Sequence, residues 1–493
     1  ELFSARARAV QPDFEPDERV DELCARLDDL PLALELAAAR TALLSTEQLM
    51  ERLGNHLDLL GGGRDAELRQ RTLRATIEWS FELLAPAEQR LLAALSVFRG
   101  GWTVEAAERI CDADVELQQS LADKSLVRRW ESGRLGMLET VRTFAAEQLE
   151  PERRDDLLRR LLDLLTETFE PNLRPRAPKV ALMDLARAER PNVDAALDWS
   201  TENGQVEKGI RLMSTLELYW ATNDPLGGRE RVDTLLAEAG DDLDRRARAS
   251  ALGIRGSTHD MTGDPSLSEP DYQSAMEVFR SLGDEEEADH LLLRIAMAAR
   301  HGGDLERATR LTSEALERAR PRGNQLDEAM ALNNLAMVAF TQGDREQGVG
   351  LAHEAASVAA DIGFTWWRGV TLFATAEWLI QAGDADAAKP ELREGLAALA
   401  SVPDLVNTPM ALAACAAVAA GDGDAVRAGT LWGAAEAAGE REPRPTTAEA
   451  LREYAPYVEP VRGEDFDRGG TRGRALSLEE AVQNALSGLD SPP

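Results

Sequence analysis

The amino-acid sequence predicts a predominantly all-α protein whose C-terminal half is an α-solenoid of stacked helical hairpins. Two observations lead to this prediction. Apolar residues recur at helical spacing, i, i+3, i+4 and i+7, in segments such as Val20–Arg40 and Leu305–Arg320. A Gly-Asp pair also recurs at a fixed interval through the second half of the chain. Alternating, strand-like runs are scarce, so little β-structure is expected.

The repeat defines the solenoid. Gly-Asp pairs recur 40 residues apart, with their glycines at positions 263, 303, 343, 383 and 423. A glycine favours the left-handed conformation that closes a helix, and an aspartate favours the N-cap of the next helix. Each unit is therefore predicted to be a helical hairpin that buries an apolar seam against its neighbours, as in tetratricopeptide (TPR) repeats. Residues 241–440 are assigned to TPR-like helical repeats of about 40 residues.

The first half of the chain carries the strongest strand signal. Residues Ser125–Leu138 predict a short β-hairpin with Glu131-Ser132-Gly133 at its turn. Four predicted helices precede it, at 68–83, 86–98, 104–111 and 116–124. Clusters of glycine and proline predict loops at Gly439–Pro445 and Gly463–Gly473.

Charge and cysteine content restrict the functional class. The chain has 88 acidic and 55 basic residues and a net charge of −33, which disfavours non-specific binding to DNA or to anionic lipid. Its longest apolar run, Met410–Ala420, is too short to cross a bilayer. Cys24, Cys111 and Cys415 are widely separated, which favours reduced thiols and a cytoplasmic location over a disulfide framework or a zinc site.

No catalytic motif is present. A phosphate-binding loop requires glycines followed by lysine and serine or threonine, whereas Gly61-Gly62-Gly63 is followed by Arg64 and Asp65. That triplet could bind an anion through backbone amides, but an inter-domain loop is the simpler interpretation. The histidines show no metal-protease spacing and no nucleophile–base pattern is evident. The sequence therefore predicts neither catalytic residues nor metal ligands, and no enzyme activity in this chain.

Several segments resemble, in order along the chain, the bacterial signal-transduction ATPases with numerous domains, which are relatives of the NB-ARC proteins. Arg26–Arg40 contains Leu30-Pro31-Leu32-Ala33 and is similar to the Gly-Leu-Pro-Leu-Ala segment of that family. The other similar segments are Arg71–Ser80, Ser96–Gly101, Leu138–Arg142, Asn192–Trp199, Leu431–Glu436 and Leu476–Val482.

The resemblance implies a domain map. In the family the nucleotide-binding core precedes the Leu-Pro-Leu helix, so the phosphate-binding loop and the Mg²⁺ ligand would lie upstream of Glu1. No cofactor is expected in this chain, and ATP or ADP with Mg²⁺ would be held by the rest of a parent protein. The implied domains are a helical lid (1–66), a winged-helix domain (67–150), a helical linker arm (151–240), the repeats (241–440) and a helical tail (441–493).

The same resemblance implies which residues contact the nucleotide. Pro31 and Leu32 would pack on the base, although Pro31 could equally just begin a helix. Asp29 stands where the family has glycine. Met137, Leu138 and Glu139 occupy the place of a Met-His-Asp triplet whose histidine approaches the phosphates. Leu138 cannot donate a hydrogen bond, so sensing of phosphate by a histidine is not expected here.

The predicted function is that of the regulatory and sensor arm of a signalling ATPase or transcriptional regulator. Its repeats would bind a protein partner or small ligand and couple that binding to the nucleotide state of the upstream domain. A stand-alone scaffold and a DNA-binding regulator are the alternatives. The third helix of the winged-helix region argues against DNA, because Asp114, Glu116 and Asp123 surround a single cation, Lys124.

Overall fold

The computed structural model describes residues 1–17, 19–27, 30–50, 65–130, 133–173, 180–262, 265–402, 404–441 and 445–489. The chain forms two compact units. Unit 1 comprises Glu1–Leu164 with Ala188–Trp199, and unit 2 comprises Leu165–Arg187 with Ser200–Pro493. The predicted all-α fold is confirmed, since two short strands form the only sheet in the described part of the chain. Residues 151–240, which the sequence analysis treats as one arm, are divided between the units.

Unit 1 begins with a small helical cluster. Phe3, Leu23, Leu27 and Leu49 are fully buried in its core together with Trp79 from a later helix. The helices that lie wholly in unit 1 are α1 (Leu2–Val10), α2 (Arg19–Arg26), α3 (Pro31–Ala38), α4 (Asp65–Glu82), α5 (Pro86–Leu95), α6 (Val104–Cys111), α7 (Val115–Asp123) and α8 (Glu139–Glu147).

The predicted β-hairpin is confirmed. Strands β1 (Arg128–Arg129) and β2 (Leu135–Gly136) pair antiparallel, and Leu135 forms a further bridge with Trp102. Two residues of the predicted turn, Glu131 and Ser132, lie outside the described residues. The hairpin follows α5, α6 and α7, which matches the predicted helix order, while the assignments as lid and winged helix stay predictions.

Unit 2 contains the solenoid. Two helices contribute residues to both units, α9 (Pro151–Phe169) and α10 (Val180–Glu202). The remaining helices are α11 (Val206–Thr215), α12 (Glu217–Asn223), α13 (Pro225–Ala239), α14 (Arg245–Met261), α15 (Pro265–Ser281), α16 (Glu285–His301), α17 (Leu305–Arg322), α18 (Gln325–Thr341), α19 (Arg345–Asp361), α20 (Thr365–Gln381), α21 (Ala385–Ala400), α22 (Asn407–Gly421), α23 (Ala425–Arg441), α24 (Pro445–Val458), α25 (Glu464–Arg474) and α26 (Leu478–Leu489).

The predicted turn chemistry is confirmed wherever the turns are described. Gly303, Gly343, Gly383 and Gly423 have φ between 80° and 83°, the left-handed region in which a side chain is disfavoured. In each turn the next residue, an aspartate, accepts a hydrogen bond from a backbone amide of the following helix, at 3.0 to 3.1 Å. The first pair of the series, Gly263 and Asp264, lies outside the described residues.

The turns between hairpins use the same device, which the sequence analysis missed. Gly283, Gly323 and Gly363 also have positive φ, between 69° and 75°. Asp284 and Asn324 cap the helices that follow. Helices thus recur every 20 residues and hairpins every 40, so the Gly-Asp pairs mark the hairpin repeat and the turns between hairpins divide it into halves.

The predicted loop at Gly463–Gly473 is wrong, because Glu464–Arg474 is helix α25. Its glycines serve close packing rather than a turn. A Cβ added at Gly469 or Gly473 would overlap backbone atoms of α23, and one added at Gly429 or Gly433 of α23 would overlap backbone atoms of α25. The two helices therefore pack backbone against backbone.

We expect the turn at Gly343 to be sensitive to substitution. Gly343→Val should destabilise the adjoining helical hairpins, since a β-branched residue is strongly disfavoured at φ 83°. Asp344→Ala should cost about 1 kcal/mol through loss of the cap to Gln347 N. Hydrogen exchange should rise around 305–385 and remain unchanged in unit 1, because repeats contact mainly their neighbours. Gly350→Ala, inside α19 with open space around it, is the control and should not raise exchange.

Candidate ligand cavity in the helical repeats

Unit 2 contains a cavity of about 600 Å³ that is partly open to solvent. It is lined mainly by α11, α12 and the first helix of successive hairpins, α14, α16, α18 and α20. Its volume falls in the range of pockets that enclose small-molecule ligands, roughly 300–1,000 Å³.

The lining residues follow the repeat. Ser250, His290 and Met330 stand 40 residues apart in three successive hairpins, and all of them line the cavity. Ile254 and Arg294 are likewise equivalent. Stacked repeats place equivalent positions side by side, which explains the recurrence. None of these residues was predicted from the sequence, although the 40-residue period relates their positions.

One side of the cavity is an aromatic wall formed by Phe364, Trp366 and Trp367. Their ring centroids lie 5.6 to 6.3 Å apart. The Trp366 indole donates a hydrogen bond of 2.7 Å to a carboxylate oxygen of Asp404, and burial raises the pKa of that carboxyl. Phe364 stands at the N-cap of α20, where the neighbouring turns have aspartate or asparagine, and it provides no side-chain cap.

A buried histidine–carboxylate pair forms part of the lining. His290 Nδ1 lies 2.6 Å from an oxygen of Asp327, and both residues are over nine-tenths buried. The other carboxylate oxygen of Asp327 accepts a 3.0 Å hydrogen bond from the side-chain amide of Asn324. This arrangement fixes the orientation of the imidazole ring that lines the cavity.

A second polar cluster surrounds Arg294. Its guanidinium donates to an Asp260 oxygen at 3.1 Å and to the Tyr272 hydroxyl at 3.0 Å, while that hydroxyl donates to Asp260 at 2.7 Å. Burial lowers the pKa of Arg294, but Tyr272 and Asp260 outweigh that effect, so its pKa lies above the ordinary value. Burial raises the pKa of Tyr272. Arg294 therefore stays charged and already has a carboxylate partner.

Opposite charges balance around the cavity. Four carboxylates and four cations contribute to the lining: Glu207, Glu217, Asp244, Glu287, Lys208, Arg211, Arg246 and Arg294. Several of these groups already have protein partners, such as Arg211 with Glu170 and Arg246 with Asp284. The cavity thus differs from the strongly acidic chain as a whole.

The nucleotide-contact residues implied by the family resemblance all lie in unit 1. Pro31 is exposed at the first position of α3 and Leu32 is half-buried, whereas Asp29 and Gly61–Gly63 lie outside the described residues. Glu35 of the same helix forms ion pairs with Arg6 and with Arg128 of β1. Their proposed role in nucleotide contact stays a prediction.

The residues in the place of the family's Met-His-Asp triplet differ in exposure. Met137 is buried, Leu138 is the N-cap of α8, and Glu139 is exposed and paired with Arg142. The hydrogen bond from Arg142 lowers the pKa of Glu139, which therefore carries a negative charge.

Helix α7, the third helix of the predicted winged-helix region, presents acidic groups to solvent. Asp114, Glu116 and Asp123 are exposed, while Lys124 forms an ion pair with the buried carboxylate of Glu88. The only cation that the sequence placed near this helix is thus already neutralised, which argues against phosphate contact there.

A largely but not fully buried carboxyl on α20, that of Glu377, should make unit 2 sensitive to pH. Burial raises the pKa of Glu377 to about 7, although it accepts a 3.1 Å hydrogen bond from Tyr454; Glu453 raises it further. Because the pKa of Glu377 is higher in the folded state than in the unfolded state, this carboxyl stabilises the fold at pH values below its unfolded-state pKa. That stabilisation is lost as pH rises through about 7. Glu377→Gln should remove about 3 kcal/mol of the stability difference between pH 5 and pH 8 in urea unfolding. Parallel pH profiles for the two proteins would contradict this expectation.

The described residues contain no group of three or more His, Cys, Asp or Glu side chains arranged to hold a metal ion. None of their helices is both long and apolar enough for a membrane span.

Comparison with known proteins indicates regulatory relatives. No family model matches the chain. It is 38% identical over 237 residues to a Mycobacterium tuberculosis protein named as an HTH-type transcriptional regulator, an alignment that covers 45% of this chain and 27% of the relative. It is 27% identical over 376 residues to regulatory protein AfsR of Streptomyces coelicolor, covering 68% of this chain and 37% of that protein. The chain therefore matches well under half of the length of either relative.

Among solved structures, the chain is similar to a signal-transduction ATPase with numerous domains and a tetratricopeptide repeat sensor from Pyrococcus horikoshii. The TM-score is 0.47 at 15% identity, covering 99% of this chain and 74% of that one. This likeness concerns the helical fold and implies nothing about activity.

Proposed function

We propose that this chain is the regulatory and sensor arm of a cytoplasmic signalling ATPase or transcriptional regulator. The observation that supports the proposal most directly is the cavity of unit 2, whose lining recurs in register through the repeats. A ligand or partner bound there would act on the rest of the protein by favouring one conformational state over another. The names of the relatives, which denote regulators, support the same class of function.

The residues of this chain fit a nucleotide held by an upstream domain only in part. Pro31 and Leu32 offer an accessible apolar surface at the start of α3, which suits the face of a base. Met137, Leu138 and Glu139 do not fit the phosphates, because a buried thioether, an aliphatic side chain and a carboxylate supply no donor. In this proposal the chain itself performs no catalysis.

DNA binding through this chain is the alternative that the relatives' names suggest. The exposed acidic residues of α7 and the Glu88–Lys124 pair weigh against it. A mobility-shift assay at physiological salt should show no sequence-dependent shift below roughly 10 µM protein. A sequence-specific shift at nanomolar protein would favour the DNA-binding alternative.

The test of the proposal uses the parent protein. Ser250→Trp should fill the cavity and imitate an occupied state, because Ser250 lines it and is only half-buried. We expect it to change the release rate of a fluorescent ADP analogue several-fold, whereas Leu226→Trp, on an exposed surface of unit 2, should not. Identical release rates in the two variants would contradict the proposal.

A second measurement concerns the chain alone. It should bind ATP with Mg²⁺ no more tightly than millimolar in calorimetry and should release no phosphate from it. Micromolar affinity or steady turnover would show that the chain contains a nucleotide site of its own.

A further inference from the structure

We propose that the cavity of unit 2 binds a small, uncharged amphipathic molecule that packs a ring against the aromatic wall and donates an N–H or O–H to Nε2 of His290. Only the effect of binding on the rest of the protein rests on the proposed function. The binding itself follows from the residues that line the cavity.

The contact with Asp327 determines which nitrogen of His290 can accept a hydrogen bond from the ligand. An ionised carboxylate only accepts hydrogen bonds, so the short contact with Asp327 places a proton on His290 Nδ1. In the Nδ1–H tautomer of this proposal, Nε2 carries the lone pair and lies on the side of the ring away from Asp327. No donor to Nε2 is found in the described part of the chain. A ligand N–H or O–H would satisfy this atom.

The apolar body of the ligand is indicated by the aromatic wall. Trp366 is held in place by its hydrogen bond to Asp404. Phe364 replaces the capping aspartate or asparagine of the neighbouring turns, which gives up about 1 kcal/mol of helix stability at α20. The preference for a capping residue at the helix N-terminus is thus not met at Phe364, whose side chain lines the cavity. Such departures from local sequence preferences are typical of functional positions.

Charge and volume narrow the ligand class. Since four carboxylates and four cations line the cavity, neither a polyanion nor a polycation is favoured there. Arg294, whose side chain is 16% exposed, is already paired with Asp260. A volume of about 600 Å³ suits a molecule of two or three rings.

Two fluorescent probes that differ in one donor test the inference on the full chain. N-phenyl-1-naphthylamine carries two aromatic groups and one N–H, and its N-methyl derivative lacks the donor. We expect saturable binding of the first probe at one molecule per chain. The derivative should bind about tenfold more weakly, because it cannot form the hydrogen bond to His290 Nε2.

Variants of the chain show which residues contribute to the binding of the two probes. His290→Phe should abolish the difference between the probes, whereas His290→Gln, which retains an acceptor, should preserve a preference for the N–H probe. Trp367→Leu should weaken both probes equally, and Leu226→Ala, at an exposed position, should change neither. Circular dichroism checks that each variant retains its helices.

Three results would overturn the inference. They are the absence of saturable binding, equal affinity of the two probes for the unmodified chain, and unchanged binding in Ser250→Trp. Stronger competition by a blocked hexapeptide than by N-acetyl-tryptophanamide would assign the cavity to a peptide and would likewise overturn it. If the probes behave as expected but Ser250→Trp leaves ADP release from the parent protein unchanged, only the proposed function fails.

Discussion

Replacing Gly473 with alanine is expected to destabilise the C-terminal part of unit 2 by about 3 kcal/mol, in the upper range for overpacking. A Cβ at this position would overlap the carbonyl oxygen of Thr430 on α23 far inside van der Waals contact. Backbone cannot move aside as a flexible side chain can, so α25 would have to shift away from α23. The gain in helix propensity from glycine to alanine, about 1 kcal/mol, offsets only part of this loss.

Gly470 provides the matched control on the same helix. A Cβ there would lie 3.7 Å from its nearest neighbour, the carbonyl oxygen of Gly429, which is an ordinary contact. Gly470→Ala should therefore leave stability unchanged or raise it by up to about 1 kcal/mol. Hydrogen exchange in α22 to α26 and thermal unfolding would report the difference. Equal effects of the two substitutions would show that backbone packing between α23 and α25 does not determine stability here.

Replacing Glu88 with alanine is expected to cost about 3 kcal/mol in unit 1, the usual scale for breaking a buried ion pair. The carboxylate is buried and accepts hydrogen bonds from Ala85 N at 2.8 Å and Ser120 Oγ at 2.6 Å, as well as pairing with Lys124. Burial raises the pKa of Glu88, but Lys124 and Ser120 outweigh that effect and lower it overall, so the group is ionised at neutral pH. Its removal leaves three donors without their acceptor.

Two control variants distinguish the contribution of the Glu88 charge from that of its hydrogen bonds, and the effect of breaking a buried ion pair from that of breaking an exposed one. Glu88→Gln retains acceptors for Ala85 and Ser120 and should lose less stability than Glu88→Ala. Glu147→Ala breaks an ion pair with Arg74 in which both side chains are about half exposed, and it should cost less than about 1 kcal/mol. Urea unfolding monitored within unit 1 measures all three. A loss for Glu88→Ala as small as that for Glu147→Ala would contradict a structural role for the buried network.

The parts of the fold that depend on local chemistry were predictable. A glycine with positive φ followed by a capping aspartate is determined within one turn, which is why Gly343 and Asp344 behave as the sequence indicated. Two of the intermediate turns were missed because the residue after glycine is not aspartate, with Asn324 in one and Phe364 in the other, although Gly283-Asp284 has the same dipeptide. The Gly-Asp pairs at 40-residue intervals therefore indicated the hairpins but not the turns between them.

The parts that depend on distant contacts were not predictable from single positions. The glycines of α25 indicated a loop because glycine favours turns, but here the absence of a side chain permits contact with α23. Lys124 was identified from the sequence only as the single cation near its helix, and its partner Glu88 lies 36 residues earlier in the chain. His290 and Trp366 line a common cavity only because stacked repeats bring them together. Contact of Pro31 or Glu139 with a nucleotide stays a prediction.

The constant spacing of the turns also bears on how such a surface can evolve. A tandem duplication or loss of one 40-residue unit preserves the position of every glycine and every cap, because each unit begins and ends at the same point of the pattern. The inner surface can thereby gain or lose one row of contact residues in a single genetic event. Point substitutions at the equivalent positions Ser250, His290 and Met330 can then diversify each row independently. Gene duplication would thus change the size of the binding surface, and substitution its chemistry, without altering the hairpin on which both depend.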